Sequence, residues 1–496
     1  MLEHVMNTNH ILAIDQGTSA TKCVLVDSRG KIVAKAAAPL GERYPHNGWV
    51  EQDADEIWQS AQSAVAQCLA QAPDAGVAAV GVSTQRESAL IWDRSTRQAV
   101  TPLLSWQDQR TVGLRDRLAA EGAEAMVRER SGLPLDPMFS ALKLCWLLDE
   151  IDPQRTRAAS GDWCMGTIDA YIVARLGGTQ VVEAGNASRT QLLNVHSGQW
   201  DDELLRLFRI PRAALPEVVP SIGDFADAGG LHPALAGVKV RAVMADSHSA
   251  LFAHGAWEPG QVKATMGTGS SVMGLTDGKQ APHPGMCLTI AWDRGDGPQQ
   301  ALEGNIRAAG STLRWISGVF GISSEEAAEI AAHSQSNGVC LVPAFNGLGA
   351  PWWDSRALGL ISGLTLNTDK GALFAAAIES IAHQVADVVD AMNASGGDVQ
   401  RLLLDGGPSR NARLREMLSA YIAKPVVRCS DAELSALGVA HLAGVGAGIW
   451  DWDALRRLPR AQQTTDAAAL AGDVRDERAR WAHAVAQSRL PAGRPA

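Results

Sequence analysis

The chain has 496 residues, 46% of them hydrophobic and 20% charged, with a formal net charge of -10. That length exceeds one ordinary core and asks for two large domains, while the acidic balance excludes general affinity for nucleic acid or an anionic membrane. The seven cysteines are scattered without a CxxC pair, which argues against a zinc site or a disulfide frame. No basic segment followed by an apolar one opens the chain, and no uninterrupted apolar run is long enough to cross a bilayer, so a soluble, cytoplasmic protein is expected.

In chain order, strands are expected at 11–15, 23–27 and 31–38. Between the first two, Asp15 ends an apolar run, Gly17, Thr18 and Ser19 form a turn, and Lys22 follows. Such a turn offers N–H groups, hydroxyls and a cation to phosphate. Asp15 stands where hydrated Mg2+ can bridge to that phosphate. A helix over 53–71 has Asp53 or Asp55 as cap and Ile57, Trp58, Ala61, Val65 and Leu69 on its apolar face. Strands at 77–83 and 88–93, with helices near 111–120, 141–150 and 168–176, indicate α/β layers around a mixed sheet. A strand over 238–244 leads to Asp246, and 247–254 reads as helix.

From 262 the pattern restarts with a strand, the turn Gly267, Thr268, Gly269, and a second strand over 271–275. The residues after this turn look extended, which separates it from a dinucleotide fingerprint. The echo of 11–27 suggests two lobes of one ancestry, with a nucleotide held between them. Helices near 305–317, 323–334, 370–394, 410–422 and 433–446 complete the second lobe. A third glycine turn, Gly406 and Gly407, follows Leu402, Leu403, Leu404 and Asp405. Residues 466–489 read as one or two helices and 490–496 as a frayed end. The expected division is 1–250, a substrate-binding lobe with the first phosphate loop, and 251–496, a nucleotide-binding lobe with a helical tail.

Several ordered motifs carry a family likeness: Asp15-Gln16-Gly17-Thr18-Ser19, Gly48-Trp49-Val50-Glu51-Gln52, Gln85-Arg86-Glu87, Trp106-Gln107-Asp108-Gln109-Arg110, the stretch 138–146, Gly267-Thr268-Gly269 and Asp405-Gly406-Gly407. Over residues 10–450 the chain resembles the FGGY carbohydrate kinases, within the wider actin and hexokinase fold group. The resemblance implies an α/β, two-lobed actin/hexokinase-like (ribonuclease H-like) fold, each lobe a mixed β-sheet with flanking helices. It also implies ATP and Mg2+ as cofactors, a small polyol or sugar as partner, and a homodimer or homotetramer. Within that family it is similar to the glycerol kinases, through Gly166-Thr167-Ile168-Asp169, Asn186-Ala187-Ser188-Arg189-Thr190 and the stretches 200–205 and 343–351. It departs from them at Met138, where a tyrosine is usual, and at Ser247, where a glutamine follows the aspartate. Met138 cannot donate the phenol's hydrogen bond. Ala372 replaces a polar residue in the second signature.

The chemistry implied is transfer of the ATP γ-phosphoryl group to a terminal hydroxyl of a small polyol or ketose, which needs a proton acceptor, Mg2+ and donors for the moving charge. Asp246 is the candidate base, against the plain alternative of a helix cap. Asp15 is the metal residue, against a turn-capping aspartate. Arg86 and Glu87 offer a cationic fork and an acceptor to adjacent hydroxyls, although neighbouring side chains on an extended backbone point apart. Trp106 is an apolar wall or a core tryptophan, and Met138 and Ser247 complete the acceptor pocket. Gly17, Thr18, Ser19, Lys22, Gly267, Thr268 and Gly269 are the phosphate set. The resemblance assigns Gly406, Gly407 and Asn411 to the adenosine side, with Gly310 and Arg314 at the adenine and a surface arginine as the alternative for Arg314. Lys143 is not placed at the chemistry, and His46, His248, His254, His283 and His383 lack metal-ligand spacing. Two alternatives stand beside the glycerol-kinase-like reading: a pentulose kinase of the xylulokinase or ribulokinase kind, and a non-kinase ATP-binding chaperone or sensor of the same fold.

Overall fold

The computed structural model describes residues 9–278, 282–431, 433–466 and 474–490, and the chain divides into two compact units. The first takes the residues up to Gly255 together with Leu288–Gln300 and Ala432–Pro459. Its main sheet has six strands: β1 (His10–Gln16), β2 (Ala20–Val26), β3 (Ile32–Pro39), β4 (Val77–Thr84), β5 (Ile222–Asp227) and β6 (Lys239–Ala245), in the order β5-β6-β4-β1-β2-β3. β1 and β2 form a hairpin whose turn is closed by Gly17 N donating to Ala20 O at 3.0 Å. β4 lies parallel to both β1 and β6, so Asp15, Arg86 and Asp246 all come from strand ends on the same edge of the sheet.

Helix Ala54–Ala70 packs on β2 and β3. Asp53 caps it by accepting from the N–H groups of Asp55 and Glu56, and Ile57, Ala61, Ala64, Val65 and Cys68 form its buried face. Helix Leu434–Gly446 is apolar on nearly every face and is buried accordingly against β1, β4 and β6. The approach is close. A Cβ on Gly81 of β4 would sit 2.7 Å from the Val439 carbonyl oxygen, and one on Gly438 would overlap the Ser249 backbone. The chain returns to the first unit twice after leaving it at Gly255, and the second return brings this helix onto the sheet face.

The second unit repeats the plan. Its strands β7 (Gln261–Met266), β8 (Ser270–Leu275), β9 (Pro298–Ile306, belonging here from Ala301 on), β10 (Arg401–Gly406), β11 (Val426–Cys429) and β12 (Gln462–Thr465) are ordered β9-β8-β7-β10-β11-β12. The hairpin of β7 and β8, the parallel partners β10 and β11 and an antiparallel edge strand stand in the same sequence as in the first sheet. Each unit is thus a mixed β-sheet flanked by helices, as expected.

Helix Lys370–Ala394 is long and apolar enough to cross a membrane by composition, yet 83% of its most apolar window is buried inside the fold, where it is a core helix. The last helix, Val474–Ser488, is held by ring stacking. His383 lies between Tyr421, at 4.6 Å, and Trp481, at 5.0 Å, and Arg478 reaches Asp387 at 2.6 Å.

Two expected helices are corrected. Residues 305–317 do not form one helix: β9 continues to Ile306 because β8 takes it as antiparallel partner, and the helix is Gly310–Val319. The helix expected from 410 begins at Ala412, because Asn411 is its cap and accepts from Leu414 N at 3.0 Å. Several strands lie where none was expected, among them Trp163–Thr167, Ile222–Asp227, Cys287–Asp293, Val426–Cys429 and Gln462–Thr465. Within the expected tail, 467–473 and 491–496 lie outside the described residues.

Candidate active site

Asp246 follows β6 directly. Ala245 takes the cap position, and Asp246 is the first residue of helix Asp246–Ala253, with its carboxylate at the helix's positive end. The side chain is 37% exposed, and Arg86 Nε stands 3.4 Å from its Oδ1. Arg86 is also 3.7 Å from Glu87 Oε1, and buried Arg189 donates through Nε to that same oxygen at 2.8 Å. The four side chains alternate in sign, so each buried charge has an opposite neighbour. Removing Glu87 would take an opposite charge from both buried arginines at once, at a cost of about 3 kcal/mol or more.

The expectation that Arg86 and Glu87 point apart is corrected by one torsion. Glu87 has φ 60, which takes it off the extended path and turns the two side chains together. The carbonyl of Glu87 is pinned by Ser140 Oγ at 2.9 Å.

Trp106 is 38% exposed, so it is not a core tryptophan. Its indole N–H donates to Thr18 Oγ1 at 3.1 Å, and its backbone N–H donates to Ser88 Oγ. Gln52 Nε2 donates to the Thr18 carbonyl at 2.7 Å, and Gln85 bridges Gln52, Gln16 and Ser88. This buried amide network ties the Gly17–Ser19 turn to the segment carrying Arg86 and Glu87. Met138 and Ser247 are half-buried. Lys143 lies wholly buried and donates to the carbonyls of Pro137, Met138 and Phe139, so it shapes the loop that presents Met138. Burial lowers its pKa to about 8, against the pull of Asp108 and Glu87.

Asp15 accepts from Ser83 Oγ at 3.0 Å. Its carboxyl is pushed up to about 7, by burial first and by the charge of Asp246 second, against the pull of Lys22 and Ser83. Lys22 pairs with Glu433 at 2.8 Å. Burial alone would lower the pKa of Lys22, but the Glu433 hydrogen bond and charge outweigh it and hold it above the ordinary value. Part of the lysine's charge is therefore already matched by a residue 411 positions away, a partner no local pattern reveals (433 − 22).

In the second unit Thr268 is exposed at the tip of the β7–β8 turn. Gly267 N donates to Gly269 O at 2.9 Å, Gly310 N to Gly267 O at 2.9 Å, and Ser311 N and Oγ to Thr268 O. The turn is thus seated on the start of helix Gly310–Val319, and Gly310 serves that seat: a Cβ there would come 2.6 Å from Gly267 O. Gly406 has φ 85, and a Cβ on it would overlap Met266, so it packs β10 against β7 just below the turn. Gly407 has open space beside it, Asn411 spends its side-chain oxygen on the helix cap, and Arg314 is exposed. Sequence reasoning gave no role to Arg189, Gln52 or Gln85. Arg189 follows a four-residue helix with no periodic signal, whereas the two glutamines lie inside motifs already singled out.

Residues 10–253 match the N-terminal domain of the FGGY family of carbohydrate kinases, and residues 262–447 match its C-terminal domain. The chain is 42% identical over 455 residues to a glycerol kinase of Citrifermentans bemidjiense, covering 90% of this chain and 92% of that one. It is 40% identical over 493 residues to an apulose kinase of Pectobacterium atrosepticum, covering 98% and 99%. Among solved structures, the glycerol kinase of Plasmodium falciparum with ADP superposes with a TM-score of 0.91 at 28% identity, covering 98% of this chain and 99% of that one. The protein is therefore an ATP-dependent carbohydrate kinase with a small sugar or polyol as acceptor. It belongs to the FGGY family, which sets aside the chaperone or sensor reading.

Proposed function

We propose that this kinase phosphorylates a terminal hydroxyl of a ketose or polyol larger than glycerol, with Asp246 as general base. The observation that carries the reading is the partly exposed Asp246 carboxylate beside Arg86, 3.4 Å away, at the end of a sheet strand. In this reading Asp246 orients the acceptor hydroxyl and takes its proton as the oxygen bonds to the γ-phosphorus of ATP and the bond to the β-phosphate oxygen breaks. Arg86 and Glu87 hold neighbouring hydroxyls, and Trp106 covers the carbon edge. Gly17, Thr18, Ser19 and Lys22 attend the phosphates on the first unit. On the second, Gly267, Thr268 and Gly269 do the same, while Gly406 and Gly407 attend the adenosine side, with Gly310, Arg314 and Asn411 next to them.

Asp15 fits a magnesium ion carried in with ATP. Its carboxyl is crowded by burial and by the charge of Asp246, which a divalent cation relieves. When bound, Mg2+ supplies neutralisation of phosphate charge.

Met138 and Ser247 favour an acceptor other than glycerol. A thioether cannot donate a hydrogen bond, and a serine hydroxyl reaches less far than an amide, so the pocket has fewer and shorter polar arms. A relative spanning nearly the whole chain is named for a sugar, apulose, and not for glycerol. The test is ATP consumption by the purified protein with glycerol, erythritol, xylitol, D-xylulose, D-ribulose, L-ribulose, gluconate and apulose, each against a control without acceptor. Saturable turnover with a ketose or longer polyol, at least about tenfold above glycerol in kcat/KM, is expected from the loss of one to two hydrogen bonds to glycerol. Glycerol as the best acceptor would overturn the reading.

A further inference from the structure

A row of polar side chains runs across the sheet of the second unit, and the acceptor chemistry uses none of it. Asp405 on β10, Thr265 on β7, Ser271 on β8 and Asn305 on β9 occupy successive register positions. Lys263 and Glu303 stand one same-face position further from the turns, two residues along β7 and β9. Thr265 Oγ1 donates to Asp405 Oδ2 at 2.9 Å, and Lys263 Nζ donates to Thr265 Oγ1 at 3.1 Å and to Ser271 Oγ at 3.2 Å. Ser271 Oγ donates to Glu303 Oε1 at 2.7 Å, and Asn305 Nδ2 reaches the same oxygen at 3.2 Å. Lys263 and Glu303 are fully buried, and Asp405 is nearly so.

Buried charges are costly to desolvate, and apolar residues of similar size often serve stability as well. What a connected polar row gives instead is a single geometry. Its place in the chain says which geometry. Thr265 lies two residues before Gly267, and Asp405 is the residue before Gly406, so the Thr265–Asp405 hydrogen bond joins the two strands that carry the two glycine turns. Gly406, with no room for a Cβ against Met266, marks the same tight seam.

We propose that Thr265, anchored by Lys263 and Asp405, is a positioning residue for ATP, fixing the spacing of the Gly267–Gly269 and Gly406–Gly407 turns. The proposal rests on the assignment of those turns to the nucleotide. Lys263 sets the direction of the bond: because the ammonium donates to the Thr265 oxygen, the hydroxyl hydrogen is left to point at Asp405.

Calorimetric titration of MgADP tests it, with KM for ATP and for the acceptor as the kinetic counterpart. Thr265→Val keeps the shape and removes the hydroxyl, whereas Thr265→Ser keeps the hydroxyl. The expected result is a Kd for MgADP raised about tenfold in Thr265→Val, the worth of one hydrogen bond to a charged group, with Thr265→Ser near the parent and the acceptor KM within about twofold. An unchanged Kd in folded Thr265→Val overturns the proposal. So does an equal rise in both KM values, or a Thr265→Ser variant as impaired as the valine, since these mark general loosening. Should Thr265→Val not fold, Thr265→Ala compared with Thr265→Ser isolates the hydroxyl: a severalfold weaker MgADP in the alanine variant alone supports the proposal, and equal binding by the two overturns it. Thr268→Val and Gly407→Val, made in the turns themselves, separate the two readings. If they leave MgADP binding untouched, the nucleotide assignment has failed; if they weaken it and Thr265→Val does not, only the positioning role has failed.

Discussion

Asp246 and Arg86 set what a single substitution can reveal. Asp246→Asn keeps the shape at the start of its helix and removes the proton acceptor, so turnover should fall by about 100-fold or more while circular dichroism and acceptor KM stay near the parent. Steady-state kinetics with the best acceptor check this, and near-normal kcat would end the general-base role. Asp246 and Arg86 stand out because each follows an apolar strand and is polar where the strand ends. The mutual approach of Arg86 and Glu87 did not, because it hangs on a left-handed φ at a glutamate, a conformation that residue type rarely adopts. The Arg189 partner of Glu87 was beyond reach for another reason: a contact across 102 positions leaves no local trace.

Secondary-structure elements were legible where period and punctuation agreed. The two hairpins with glycine turns share an apolar–turn–apolar pattern, and their sheets proved to have the same strand order. Strands Cys287–Asp293 and Pro298–Ile306 have a local signal of their own, the Asp296-Gly297 pair between two extended runs. The final helix supplies a measurable consequence. Burial first, and then the charges of Arg478 and Arg480, lower the pKa of His383 from 6.5 to about 3, so the folded protein keeps this ring neutral between Tyr421 and Trp481. Between pH 7 and pH 5 the unfolded chain takes up a proton at His383 that the folded chain refuses. Stability therefore falls as pH falls, by about 2 kcal/mol over that interval from this group. His383→Phe retains a stacking ring and should shrink the pH 7 to pH 5 difference in urea-unfolding free energy by roughly that amount. An undiminished difference would assign the acid sensitivity to other groups.

At the scale of the whole molecule, neither unit is a continuous stretch of chain. Composition and length called for two domains, and the hairpin echo suggested two lobes of one ancestry. The return of Leu434–Gly446 to the first unit was hidden, because a helix apolar on all faces reads only as buried, not as buried against a particular sheet. Residues 9–255 made alone would expose the part of β1, β4 and β6 that this helix covers. That fragment should show no cooperative urea transition, and a synthetic 432–459 peptide should restore one, as followed by tryptophan fluorescence. A cooperative transition in the fragment alone would mean the helix is dispensable. The late arrival of this helix also has a meaning during synthesis. A ribosome that has finished the first strand hairpin must add more than four hundred residues before the segment that seals it emerges (434 − 26). Until then the nascent chain carries an open apolar sheet face, so the interval between translating Val26 and releasing Gly446 is when this protein most depends on chaperones, and rare codons placed in that interval would lengthen the exposure.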